Sequence, residues 1–283
     1  MMNRRRVPAW PFAAVVCALL LLATAGCAGS AEDAADARGA QSTATAVAVA
    51  SAAPRERAPR VAVPILMYHV IGPVPAGARL PSLFVSPSRF ASHVRALKRA
   101  GYHGVALQQV WDAWRHGATL PRRPVVLSFD DGSAGQVRHA LPALRQAGWP
   151  GVLNLAWRFL PDIGGTSAVR RLVRAEWEID SHSLNHPDLT QLPDAELRRE
   201  LTESRARIKR AFGSDSANFF AYPSGRHDAR VRRAVRDAGY LAAMTVERGF
   251  AKPTADPYAL ARVQAGGAMT ASALLRRLRD LRP

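Results

Sequence analysis

Cysteine is nearly absent from this chain: 283 residues hold two, Cys17 and Cys27. Both fall in or just behind an apolar leader, so the rest of the chain can build neither a disulfide nor a thiolate metal centre. Long apolar runs are lacking too. Residues 12–23 are too few for a comfortable membrane span, and they follow Arg4, Arg5 and Arg6, the layout of an export signal over residues 1–26. Acids are scarce beside bases, 22 against 39, for a formal charge of +17. Such an excess ordinarily points to nucleic acid or an anionic surface. Here the arginines of stretches 196–210 and 226–236 are mixed with acids and alanines, and no nucleic-acid motif accompanies them. Nucleic acid is therefore excluded as the partner, while attraction to an acidic envelope polymer fits the charge.

The leader ends in Leu22-Ala23-Thr24-Ala25-Gly26-Cys27, which resembles a bacterial lipobox. It implies a lipidated Cys27 at a new N-terminus and a membrane-anchored lipoprotein of the cell envelope; ordinary cleavage to a secreted or periplasmic protein is the alternative. Residues 27–60 are Ala, Ser, Thr and Gly with scattered charges and no apolar periodicity. They read as a disordered tether, because they cannot bury enough surface to offset chain entropy.

Residues 61–283 read as one domain in which apolar strands alternate with amphipathic helices. Strands are expected at 61–68, 105–107, 124–129, 152–156, 177–179, 218–222, 241–245 and 260–263, and helices at 88–100, 108–115, 136–147, 167–175, 194–212, 229–238 and 271–281. Repeated βα units predict an α/β fold, a parallel sheet with helices outside that this many strands can close into a barrel.

Two strings carry chemistry. Ser128-Phe129-Asp130-Asp131-Gly132 ends an apolar strand in adjacent carboxylates, and His182-Ser183-Leu184-Asn185-His186-Pro187 sets two imidazoles four residues apart. On one turn of helix those imidazoles would face the same way. One carboxylate with two such histidines can hold a divalent metal and leave positions open, as catalytic zinc sites do. The bland readings are a plain turn at the aspartates and a helix cap at the histidines.

Together the strings resemble the polysaccharide deacetylases of the NodB-homology type, carbohydrate esterase family 4, whose first motifs read TFDDG and H-[ST]-x-x-H-P. Ser128 stands for the usual threonine. The resemblance runs over roughly residues 61–281 and is nearest to the exopolysaccharide poly-N-acetylglucosamine group. It implies an irregular, incomplete (β/α) barrel with its site at the strand ends. Asp131, His182 and His186 would be metal ligands for zinc, with cobalt or nickel as alternatives, and Asp130 the general base. The family's usual acid string, L-x-H-D, is missing, and His69, just past the strand ending Met67-Tyr68, is the candidate acid on the side opposite the base.

The third motif appears as Phe220-Ala221-Tyr222-Pro223-Ser224-Gly225, without the arginine that elsewhere orients the base. Tyr222, Pro223 and Ser224 are candidates for the oxyanion and substrate contacts, with the Ser224 backbone N–H as donor. Leu260-Ala261-Arg262 resembles the late L-x-R segment and places Arg262 on the pocket lining. Trp157, after a strand end, is a candidate sugar platform, and His227 is the likeliest functional histidine outside the motifs. The implied activity is metal-dependent N-deacetylation of an N-acetylglucosamine-containing polysaccharide by a monomer. The alternatives are O-deacetylation of an acetylxylan-like polymer and a non-catalytic glycan-binding lipoprotein.

Overall fold

The computed structural model describes residues 61–283; the expected leader, tether and Cys27 lie outside the described residues. The elements run β1 (Ile65–Tyr68), β2 (Val70–Ile71), β3 (Phe84–Val85), α1 (Pro87–Arg99), β4 (His103–Gly104), α2 (Leu107–His116), β5 (Pro124–Asp131), α3 (Leu141–Ala147), β6 (Val152–Leu155), α4 (Leu160–Ile163), α5 (Gly165–Val173), β7 (Glu178–Ser181), α6 (Asp194–Phe212), β8 (Phe219–Ala221), α7 (Ala229–Asp237), β9 (Ala242–Arg248), β10 (Leu260–Gln264) and α8 (Ala271–Asp280). Seven parallel strands close in the order β1-β10-β9-β8-β7-β6-β5, and β1 pairs back onto β5 with Ile65 opposite Val126 and Tyr68 opposite Phe129. The ring is one strand short of the regular (β/α) barrel. Short β4 adds to the start of β5 on the edge that β6 takes further along.

Strand alternation sorts the core into two layers. Ile65, Val126, Val152, Phe219, Ala242, Met244 and Leu260 pack together inside the barrel. Leu66, Leu127, Phe129, Leu153, Ile179 and Phe220 point outward under the helices. Helix α2 joins the inner layer through Leu107, Val110 and Trp114 and so plugs the end where the strands begin. Its first turn meets Glu178 at the start of β7, the Gln108 N–H donating to Glu178 Oε2 at 3.0 Å; a helix N-terminus favours such a carboxylate.

Several expected boundaries move for local reasons. Helix α1 starts at Pro87 behind Ser86, whose Oγ accepts from the Arg89 N–H, rather than at Ser88. The strand expected at 105–107 is instead the entry to α2, where the Gln109 side chain accepts from the Ala106 N–H. The helix expected from Gln136 opens with a π turn over Gln136–Ala140. That widening accompanies a tie: Gln136 Nε2 donates to the carbonyls of His69 and Asp130 at 2.9 and 2.8 Å, binding the end of β1 to the end of β5.

Candidate active site

The polar inward positions gather where the strands end. Ser128 and Asp130 from β5, Asn154 from β6 and Arg262 from β10 are all buried there. Alternation would send Asp131 outward, away from Asp130. Asp131 escapes by adopting a left-handed backbone, φ 72°, so two consecutive carboxylates serve one site. Gly132 follows at φ 116°, and a Cβ there would sit 2.9 Å from Leu155 Cδ1.

The histidine string is a loop, not the expected helix. β7 delivers His182 directly, and left-handed residues Ser183 (φ 73°) and His186 (φ 58°) fold the chain back. Ser183 Oγ accepts from the His186 N–H at 2.9 Å. Buried Glu200 on α6 clamps the turn by accepting from Leu184 N, Asn185 N and Asn185 Nδ2 at 3.0, 2.8 and 2.6 Å. The two imidazoles still meet, ring centres 4.8 Å apart, by a route that four-residue helical spacing does not anticipate.

Asp131, His182 and His186 each offer a ligand atom, all within 4.8 Å of one another. His182 Nε2 and His186 Nε2 lie 3.6 and 3.4 Å from Asp131 Oδ1. His182 Nδ1 donates to the Ala221 carbonyl at 2.7 Å, which leaves the Nε2 lone pair facing the cluster. Burial lowers His182 to about 3, with the nearness of His186 adding to it against Asp130 and the Ala221 bond; burial also lowers His186. Both rings are thus neutral, as ligands must be. Burial pushes Asp131 up to about 6, Asp130 adding while His69 and Arg262 oppose. A cation among these donors would reverse that sign, and a carboxylate with two neutral imidazoles suits zinc, cobalt or nickel.

Asp130 is held apart from that cluster. Arg262, 1% exposed, grips it with a two-pronged fork, Nη1 to Oδ1 and Nη2 to Oδ2, both at 2.8 Å. Arg262 Nε in turn donates to the Thr245 carbonyl at 2.7 Å, and Asn154 Nδ2 donates to Asp130 Oδ1 at 2.7 Å. Burial by itself would raise the Asp130 carboxyl, but the charge and hydrogen bonds of Arg262 hold it well below the usual carboxylate range. Motif three offers Asp130 no arginine; its guanidinium partner comes from β10 instead. Arg262 therefore stands behind the carboxylate rather than on the pocket lining.

The other candidates separate. His69 brings Nε2 to 3.8 Å from Asp130 Oδ2, beside that carboxylate rather than across from it. Ser224 sits exposed at the rim in a left-handed turn, φ 54°, after buried Pro223. Tyr222 turns away: its hydroxyl donates to the Tyr258 carbonyl at 2.9 Å and its buried ring stacks on His227 at 4.7 Å. Trp157 also faces outward, against Phe212 and under Arg207, so it offers the site no platform. Phe159 lies beside His186 instead, ring centres 6.0 Å apart. His93 is packed between the Met269 carbonyl and the Tyr68 hydroxyl. Gln136, Asn154 and Glu200 escape a reading by sequence, since each earns its place through partners 6 to 67 positions away.

A closed parallel barrel whose strand ends unite a carboxylate–dihistidine cluster with a second, arginine-held carboxylate has the architecture of a hydrolase. Residues 117–243 match the polysaccharide deacetylase family. A Bacillus subtilis (strain 168) protein named as a polysaccharide deacetylase, YxkH, is 25% identical over 212 residues, 74% of this chain and 74% of that protein. The poly-β-1,6-N-acetyl-D-glucosamine N-deacetylase of Escherichia coli (strain K12) is 39% identical over 56 residues, 20% of this chain and 8% of that protein. Among solved structures, the Streptococcus pyogenes deacetylase PplD in complex with acetate has the same fold, with a TM-score of 0.71 at 24% identity over 79% of this chain and 100% of that one. Residues 117–243 therefore form a polysaccharide deacetylase domain, and the likeness to these proteins indicates a deacetylase hydrolase.

Proposed function

We propose that the protein is an exported, metal-dependent N-deacetylase acting on an N-acetylglucosamine-containing polysaccharide: an exopolysaccharide, a chitin-like polymer or peptidoglycan. The convergence of Asp131, His182 and His186 within 4.8 Å supports the metal, with Asp130 alongside on a separate support. The local match to an N-deacetylase of poly-β-1,6-N-acetyl-D-glucosamine supports the substrate class. A divalent cation held by the three ligands would supply positive charge that polarises the acetyl carbonyl and acidifies water.

The chain's own residues then divide the proton work. As water oxygen bonds to the acetyl carbon, Asp130 takes the water's proton, while Arg262 and Asn154 keep its carboxylate aimed. The Ser224 N–H donates to the oxygen that gains charge. When the carbon–nitrogen bond breaks, the departing amine needs a proton, and His69, on the Asp130 side of the site rather than the opposite one, supplies it. Acetate and a free amino sugar remain.

Acetate release from chitin oligomers, β-1,6-linked N-acetylglucosamine polymer and peptidoglycan, with and without chelator, tests this reading. Metal-dependent release from at least one is expected; none from any acetylated sugar defeats it. His69→Ala should depress amide turnover far more than turnover of an acetylated xylan, because an alkoxide leaves more readily than an amine. Equal rates would favour the ester substrate. Anchoring through Cys27 belongs to the same proposal, and the mass of the mature N-terminus tests it.

A further inference from the structure

At the end of the barrel opposite the catalytic rim, α3 and α5 border a cleft of about 520 Å³. Arg145 from the last turn of α3, Arg171 from the last turn of α5 and Arg174 at its cap line it, with Glu176 as the single acid. Ion pairs to carboxylates among the described arginines are made by Arg207, Arg226, Arg230, Arg232 and Arg262, not by these three. Neighbouring Arg170 is tied to the Ala211 carbonyl, but Arg145, Arg171 and Arg174 have no such bond among the described residues. The two helix C-termini supply partial negative charge, about half a unit each. With Glu176 they leave the cleft net positive.

The floor is apolar and firmly seated. Trp149 lies on Gly104, where a Cβ would come within 2.5 Å of the indole, and Trp177 lies on Gly151, where it would come within 2.7 Å. Guanidinium forks match phosphate and carboxylate oxygens two at a time. A concave surface lined by one sign of charge concentrates counter-ions, and the volume lies in the range of small-molecule sites.

We infer that this cleft is an accessory binding site for an anionic saccharide, a phosphate- or carboxylate-bearing segment of a polysaccharide, held apart from the chemistry. It goes beyond the deacetylation reading and stands or falls independently of it. Its use would be to retain a charged polymer while the opposite rim works.

The test titrates the metal-loaded full chain, by calorimetry at low ionic strength, with a galacturonate oligosaccharide, a glycerol-phosphate oligomer and a neutral chitin oligomer. The triple variant Arg145→Ala, Arg171→Ala, Arg174→Ala is compared with Arg276→Ala, Arg279→Ala, Arg282→Ala, which removes the same charge from exposed positions on and after α8. At least one anionic oligomer should bind, about tenfold or more weaker to the cleft variant and within about twofold for the control. Which oligomer binds identifies the anion. Acetate release from a small neutral substrate should be the same in all three proteins. Binding of neither anionic oligomer, or equal weakening in both variants, overturns the inference.

Discussion

At Asp130 and Asp131, adjacent residues of one chemical type are given opposite electrostatic settings. Asp130 is ionised by the Arg262 fork in spite of its burial, whereas Asp131 is raised by burial and looks toward two neutral imidazoles. Only the left-handed backbone at Asp131 lets both face one site. Asp130→Asn keeps an acceptor for the fork but cannot take a proton. It should lower kcat by about 10²- to 10⁴-fold while zinc affinity stays within a few-fold, as steady-state kinetics and calorimetry would show. The Asp-Asp and His-His strings were legible in sequence because they are local. Arg262 as the partner of Asp130 was not, since 132 positions separate the pair and only ring closure brings β10 within one strand of β5. Tyr222 and Trp157 mislead for a related reason: a motif position does not reveal which side of a strand end faces the site.

At the scale of elements, the chemistry depends on how neighbours restrain loops. The turn from His182 to His186 has no helical ladder of its own and is held from α6 by Glu200. Glu200→Ala should weaken zinc binding by about 10- to 100-fold in a calorimetric titration, the usual loss when a ligand's supporting bond is removed. Unchanged affinity would mean that Ser183 alone suffices. Helix α6 itself was legible to the residue, because 19 positions of amphipathic pattern outweigh any end effect. The two-residue β4 was not, and its expected neighbour proved to be the first turn of α2.

Strand β7 carries a second acidic pair at the other end of the barrel. Glu178 and Asp180 share its inner face, and each has one buried oxygen without a conventional donor among the described residues. Burial raises both carboxyls, Asp180 well above its ordinary 3.8, with Glu178 adding to that shift and hydrogen-bonded to it. A raised acid binds more protons folded than unfolded. Its contribution to stability is therefore complete below the ordinary value and is lost as pH climbs through the folded one. Asp180→Asn preserves an acceptor for the Phe219 N–H and supplies a permanent donor to Glu178. Melting temperatures from about pH 5 to about pH 8 should fall more for the wild type than for this variant. Parallel falls would contradict a shared proton.

At the scale of the whole molecule, the barrel divides its labour between two ends. The strand-start end is closed by α2 with an apolar plug, and the strand-finish end is polar and strained, with left-handed residues at positions 131, 183, 186 and 224. Trp114, buried in the plug, also donates Nε1–H to the Val61 carbonyl at 2.9 Å. Trp114→Ala should cost about 3–5 kcal/mol in denaturant unfolding and leave KM at low temperature nearly unchanged; a large KM effect would mean the two ends are not independent. The alternation of strands and helices made the α/β class readable from sequence. Ring closure was expected from strand number and the family resemblance, but not which strands would meet: β1 finds β5 across more than 50 intervening residues.

The catalytic reading turns on one centre, and anomalous diffraction at the zinc edge, from crystals grown with zinc, addresses it directly. The account predicts a single strong peak bonded to His182 Nε2, His186 Nε2 and one Asp131 oxygen at about 2.0–2.2 Å, with Asp130 near but turned to Arg262. A peak elsewhere, or none at full zinc occupancy of the solution, would contradict it.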